Sequence, residues 1–559
     1  MEGFDIDKMS KEAAKRHIDN GLVKGLWNRL TPAERKGLTH AIADSYEQGY
    51  QNWTPEMIPE FIKRYGYDPT PWLPVFSGRI VGSAAQSDRF LWDVRRLVAD
   101  LIATNYVGGL RDAVNPLGMK LWLEPYGHWG FPAEFASYGG QADGIGGEFW
   151  SNVPNLGTME TRSSAAVGHI YGKNIISAEA YTSSGNQNES PGYIKARGDW
   201  AFTQGINHFV LHVTSHQPTD QPGPGLGLPW GTYFNTHSLW FMEHGKAWTD
   251  YIRRTSYLLQ QGRPVADVAY YIGEDTPQMT GSLNPELPKG YDYDWINSEV
   301  ILKRASVKNG RLVLPGGASY PVLVLPVRAS MRPEVLEKIA GFVRQGLTVV
   351  GTAPTQSPSL QDYPRADAKI REIAASLWPA SGTASRKVGQ GIVWNSTPLG
   401  PILAGLKTPA PILESNEQVL WKHRSTPDAE IFFLSNQTDS EQSIAPSFRA
   451  SGRSPQLWNA ETGTVESIGA YREAGGRTTV PLKLAPLQSV FVVFRTSKAA
   501  LPAVTDVKVG AQSVLNWTEA KAANPGEIAD SNLSQSFWVK PTQTINLPNP
   551  RLGSVELNG

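Results

Sequence analysis

Four glutamates each close a short apolar run beside an aromatic residue: Glu47 in LTHAIADSYEQG, Glu124 in MKLWLEPYG, Glu148 in GIGGEFW and Glu179 in NIISAEAYTSSG. A carboxylate at the carboxyl end of a β-strand sits where (β/α) barrels keep their chemistry, because the βα loops of different strands converge there. Paired carboxylates suit glycoside cleavage. One protonates the leaving oxygen, and the other activates water or attacks the ring carbon. Their separation is roughly 6.5–9.5 Å in inverting enzymes and about 5–5.5 Å in retaining ones, and carboxylates ending different strands can span either distance.

Glu47 is the strongest single candidate, since DSYEQGYQNWT follows a buried strand pattern with polar and aromatic residues such as Trp53 around it. The blander alternative is a capping or salt-bridged loop residue. Glu179 has the same setting, and the Ser/Gly loop after it leaves room for a ligand; its alternative is a buried strand Glu held by Arg or backbone N–H groups. Trp53, Tyr126 and Tyr181 flank these carboxylates and are candidates to contact a sugar, whose apolar faces stack on aromatic rings. Asp143 and Glu148, in GGQADGIGGEFW, could supply the hard oxygen ligands that Ca²⁺ takes, or simply line a solvated loop. Glu124 is expected to bind a hydroxyl or orient another carboxylate.

His208, His212 and His216 recur at four-residue spacing in NHFVLHVTSHQP. The apolar, β-branched HFVLHV reads as a strand, where four residues span roughly 13 Å, which argues against a three-His zinc site. His212 and His216 are then candidates for substrate contact, and His208 for the core or the bottom of the barrel. No GxSxG, HExxH or Walker sequence occurs.

The composition narrows the class. The 559 residues imply two to four domains. A hydrophobic fraction of 40% and a charged fraction of 19% are those of a globular protein. With 52 basic and 52 acidic residues and no basic block, nothing points to nucleic acid or an anionic membrane as partner. The absence of Cys excludes disulfides, thiolate metal sites and a Cys nucleophile. No run is long enough to cross a bilayer, and MEGFDIDKMSKEAAKRH has no apolar core of a secretory signal. The chain opens with no strand before its first helical pattern, and SQSFWVKP begins a β-module that stops short, so both ends are expected to be cut.

Strand and helix patterns alternate over residues 1–262, with Thr54 and Pro55 as the expected start of one helix. This spacing predicts parallel strands with crossover helices. About five or six βα units are legible where a closed barrel needs about eight, so the expected catalytic (β/α) barrel is N-terminally incomplete. Residues 263–408 restart the alternation as a flavodoxin-like α/β domain without a glycine-rich phosphate loop. Residues 409–497 carry the short alternating strands of a β-sandwich. A linker and a partial lectin-like β-module fill 498–559. The expected fold class is thus multidomain α/β plus β.

Taken together, DSYEQGYQNWTPEM, SDRFLWDVRRLVADL, LEPYGHWGFPAEFASYGGQADGIGGEFW and SAEAYTS, with GYDYDWIN and LWNAETG further on, resemble the α-L-rhamnosidases of glycoside hydrolase family 106. The likeness runs from near residue 3 to about residue 497. It implies an inverting enzyme that releases terminal α-L-rhamnose from a glycan or glycoside, uses a bound Ca²⁺ at the sugar, and works in the periplasm or outside the cell. It also implies that Glu47 is the general acid, Glu179 the general base, and Glu148 a further active-site carboxylate serving metal or substrate. Two competing expectations are a retaining glycosidase of the β-galactosidase kind and an inactive carbohydrate-binding fragment.

Overall fold

A computed structural model describes residues 5–47, 51–125, 131–153, 158–184, 189–219, 226–228, 230–232, 234, 239–413, 416–496, 504, 508–509 and 512–513. The chain divides into two units. The first comprises Met1–Glu148, Gly157–Ala178 and Ala266–Pro409; the second comprises Phe149–Leu156, Glu179–Val265 and Ala410–Gly559.

In the first unit, β1 (His40–Ala43), β2 (Lys120–Leu123) and β3 (Gly144–Ile145) form a parallel sheet. Ala43 stands opposite Leu123, and Leu123 opposite Ile145, so the strands end level with one another. The helix Ala84–Leu101 packs here, capped by Ser83, whose side chain accepts from the Gln86 N–H. Its buried face of Phe90, Val94, Leu97, Val98 and Leu101 joins a core with Phe61, Leu121, Leu123 and Tyr138. The expected cap at Thr54 is corrected. The helix runs from Met57 with Glu56 at its cap position, and the Thr54 hydroxyl instead donates to Asp7 at 2.7 Å.

The same unit holds a six-stranded sheet in the order Ser385–Val388, Gly391–Trp394, Thr348–Val350, Val322–Val324, Val268–Tyr271, Tyr293–Ile296. All its pairings are parallel except the Ser385–Val388 edge, an order that doubly wound sheets take. Its strands are buried and rich in Val, as parallel strands covered on both faces require.

The strands β4 (Glu148–Trp150), β5 (Ser177–Thr182) and β6 (His208–Leu211) form a further sheet in that order. The boundary between the units falls inside two of them, after Glu148 and after Ala178. Six strands of the expected kind are therefore present, but among the described residues they do not complete a closed barrel. The second unit continues with the helices Pro191–Gln204 and Leu239–Leu259 and with antiparallel sheets of four and six strands. Phe432, Phe448, Val492 and Phe494 pack at the core of these sheets. The strand Arg263–Pro264 pairs with Val419–Ser425 in the six-stranded sheet. Most of the expected lectin-like module, residues 514–559, lies outside the described residues. No described helix is long and apolar enough to cross a membrane.

Candidate active site

Level strand ends in the first unit bring carboxylates together. Asp44 is the first residue beyond β1, and Glu124 the first beyond β2. The Glu124 N–H donates to the Ala43 carbonyl at 3.0 Å. A carboxylate oxygen of each lies within 4.8 Å of the other, with Glu124 buried and Asp44 exposed. Two hard oxygen donors at this spacing are of the kind that hold Ca²⁺.

The exit from β3 is shaped by glycine. A Cβ on Gly146 would lie 2.3 Å from the Trp122 ring, and one on Gly147 would lie 2.8 Å from the Ser164 hydroxyl. Only a chain without side chains fits there, and it delivers Glu148, buried, to the start of β4. Glu47 stands four residues past β1 with its side chain exposed, accepting a hydrogen bond from the Ser45 hydroxyl. Its neighbour Tyr46 is the enclosed residue. Packed edge-on against Phe131 at 5.6 Å, its phenol is pushed up to about 12 by burial. Trp53 keeps an exposed indole, edge-on to Phe76 at 6.3 Å.

Asp143, expected as a metal ligand, stands just before β3. Its carboxylate accepts from the Leu121 N–H and the Asn115 amide, both at 2.8 Å. It pins the entry of β3 to the start of β2. Glu124, three residues further along β2, is therefore roughly 10 Å away at the other end of the sheet.

In the second unit, Glu179 lies in β5 and accepts from the Thr182 hydroxyl. The His212 Nδ1 approaches its carboxylate to 3.8 Å and also lies 3.1 Å from the Trp230 carbonyl. His212 thus stands beside Glu179. His216 is exposed on the segment beyond β6, and His208 is exposed at that strand's start rather than in the core. Tyr181 is corrected as a substrate contact. Its ring is fully buried against Phe149, Phe209, Phe234 and Trp248, because a φ of 69° turns it inward. Tyr126 lies outside the described residues.

Three features escaped the sequence reading. Asp44 was overlooked beside Glu47, although its place just past a strand matches that of Glu124. Trp150 and Trp230 face each other at 6.2 Å at the ends of β4 and of the segment next to β5. Trp230 is 59% exposed, so its indole is available to a ring. Glu189 looked like loop, yet it is buried among hydroxyls.

The family model for alpha-L-rhamnosidase, glycoside hydrolase family 106, matches residues 1–473. A rhamnosidase from Novosphingobium sp. PP1Y superposes with a TM-score of 0.83 at 34% identity, covering 91% of this chain and 49% of that one. A protein of Formosa agariphila, provisionally named beta-glucuronidase, is 36% identical over 501 residues, covering 89% of this chain and 41% of the relative. The chain thus spans less than half the length of either. A GH42 beta-galactosidase from G. stearothermophilus shares the fold, with a TM-score of 0.54 at 12% identity over 88% of this chain and 82% of that one. The chain belongs to glycoside hydrolase family 106, the α-L-rhamnosidase family.

Proposed function

We propose that the protein hydrolyses terminal α-L-rhamnosides of glycans or glycosides with inversion, Glu47 acting as general acid and Glu179 as general base. The observation that carries this reading is the family match over residues 1–473, which spans both motif glutamates. Glu47 gives its proton to the glycosidic oxygen as the bond to the anomeric carbon breaks. Glu179, oriented by Thr182, takes a proton from the water that attacks the opposite face. His212 and Trp53 contact the sugar. Glu148 is a further active-site carboxylate.

Asp44 and Glu124 are the residues that would hold Ca²⁺, since Asp143 is committed to the far end of its sheet. A bound Ca²⁺ supplies a fixed charge that orients vicinal hydroxyls. Within this reading residues 1–262 form the (β/α) barrel domain, 263–408 the flavodoxin-like domain, 409–497 the β-sandwich and 498–559 the linker and lectin-like module. The likeness to GH42 enzymes supports the barrel.

A second reading has one observation in its favour, the provisional name of the Formosa relative: hydrolysis of a β-glucuronide. Aryl α-L-rhamnoside and aryl β-D-glucuronide offered in parallel separate the two. Turnover of the rhamnoside is expected, with the first-formed sugar inverted by NMR. Glu47→Gln and Glu179→Gln should each lower kcat by about 10²–10⁴. Turnover of the glucuronide alone, rhamnose binding without turnover, or near-normal activity in either variant overturns the assignment.

A further inference from the structure

Glu189 is a second carboxylate in the unit that holds Glu179, 2% exposed at the approach to the helix Pro191–Gln204. Among the described residues its partners are hydroxyls from three separate places. Ser151, after β4, and Ser183, after β5, both donate to Oε1 at 2.8 Å, and Thr232 donates to Oε2. The backbone joins the same segments. The Ser151 N–H donates to the Thr182 carbonyl at 2.9 Å, the Ser183 N–H to the Trp230 carbonyl at 2.9 Å, and the Thr232 N–H to the His212 carbonyl at 3.1 Å. A buried acceptor of this kind is satisfied only while every donor stays in place.

Two short paths lead from this node to Glu179. The Thr232 hydroxyl also lies 2.9 Å from the Tyr181 carbonyl, and Tyr181 holds a φ of 69°. A bulky residue adopts that left-handed backbone only where its surroundings over-determine it. Here the turn brings the Thr182 hydroxyl back onto Glu179. The second path runs through Trp230, whose carbonyl faces the His212 Nδ1, and from His212 to Glu179 at 3.8 Å.

We propose that Glu189 is a positioning residue for the hydrolysis. It gathers Ser151, Ser183 and Thr232 so that Thr182 and His212 hold the Glu179 carboxylate in one orientation. The inference rests on the reading of Glu179 as general base. What the node requires is an acceptor of this length rather than a charge. A glutamine can accept from Ser151 and Ser183 through its oxygen and donate its amide to Thr232, whose own proton then goes to the Tyr181 carbonyl.

Glu189→Gln should keep kcat within about threefold of the parent. Glu189→Met, equal in length but without an acceptor, should lower kcat about 10–100-fold while KM moves less than threefold, because a misplacement of about 1 Å at a reacting group costs that much. Hydrogen exchange supplies a readout independent of turnover: in Glu189→Met the amides of Ser183, Val213 and Thr232 should lose protection while the remainder of the protein keeps it. If Glu189→Met does not fold, Thr232→Val and Ser183→Ala remove single donors and should show the same kcat-selective loss to a smaller degree. Unchanged kcat and protection in these variants, or an equal loss in Glu189→Gln and Glu189→Met, overturns the inference. A parent protein inactive on rhamnosides, with exchange still altered by Glu189→Met, locates the failure in the reading of Glu179 instead.

Discussion

Glu461 shows how a motif residue can be tied into a buried charge cluster. It lies in the turn of LWNAETG, where the Asn459 side chain accepts from the Glu461 and Thr462 N–H groups at 2.8 and 3.2 Å. Its carboxylate is 3.6 Å from Lys195, which is fully buried and already paired with Asp199 at 2.6 Å. Burial therefore pushes the Glu461 carboxyl up to about 7. A raised carboxyl binds its proton more tightly in the folded state, so its contribution to stability is present at pH 4.5 and below and is lost as the pH rises towards about 7. Glu461→Gln should flatten that fall and stabilise the protein above pH 7 by on the order of 3 kcal/mol, measured by urea unfolding at pH 5 and pH 8. An equal effect at both pH values would refute the assignment. The sequence offered the motif but not this pairing, because Lys195 and Glu461 are far apart in the chain and only the fold joins them. The same holds for Asp44: its residue type was visible, but its register against Glu124 was not.

At the scale of elements, the presence of strands was legible and the place of each glutamate along its strand was not. An apolar run followed by Glu and an aromatic marked the exit of β2, because a parallel strand must be apolar along its length and can turn polar only where it leaves the sheet, but the same pattern put Glu179 inside β5 and Glu148 at the start of β4. Asp143 carries the same chemistry at an entry, and spacing alone does not distinguish the two ends. The stretch GGQADGIGGEFW read as a source of Ca²⁺ ligands or as a solvated loop, but the role of its pair Gly146–Gly147 is steric. Gly146→Ala would put a Cβ 2.3 Å from the Trp122 ring and should destabilise the protein by about 1–3 kcal/mol, as overpacking does. A thermal midpoint equal to that of the parent would show that Trp122 yields at no cost. Tyr181 illustrates the opposite error. Two residues beyond Glu179, strand alternation would place it on the same face, but the left-handed turn at 69° sends it into the core.

For the molecule as a whole, the alternation of strands and helices predicted an α/β region followed by a β-rich one, and both are present. Closure of the expected barrel could not be read, and the described strands form separate sheets rather than a closed one. A cation held by Asp44 and Glu124 would bind the folded protein alone and stabilise it by about 2.7 kcal/mol at a hundredfold excess over Kd. Ca²⁺ should therefore raise the Tm by several degrees, EDTA should reverse the rise, and Asp44→Asn should abolish it. A Tm indifferent to Ca²⁺ in the parent would remove the metal from the proposed function.

Each unit is assembled from three stretches of chain that interleave along the sequence, and this fixes an order of events during synthesis. The first unit cannot close until Pro409 has left the ribosome, and the second must wait for its sandwich strands, up to Ser489–Arg495. Emerging segments such as Glu179–Val265 are thus held without their partners for much of translation, the stage at which exposed apolar surface invites misassembly. For the same reason no single cut in the polypeptide releases either unit whole. Truncation after the expected barrel boundary at residue 262 would strip the helix Pro191–Gln204 of the Leu487 carbonyl and the Ser489 hydroxyl that Lys195 holds at 2.9 and 2.8 Å. The helix Pro191–Gln204 is thereby tied to the last strand of its own unit, Ser489–Arg495.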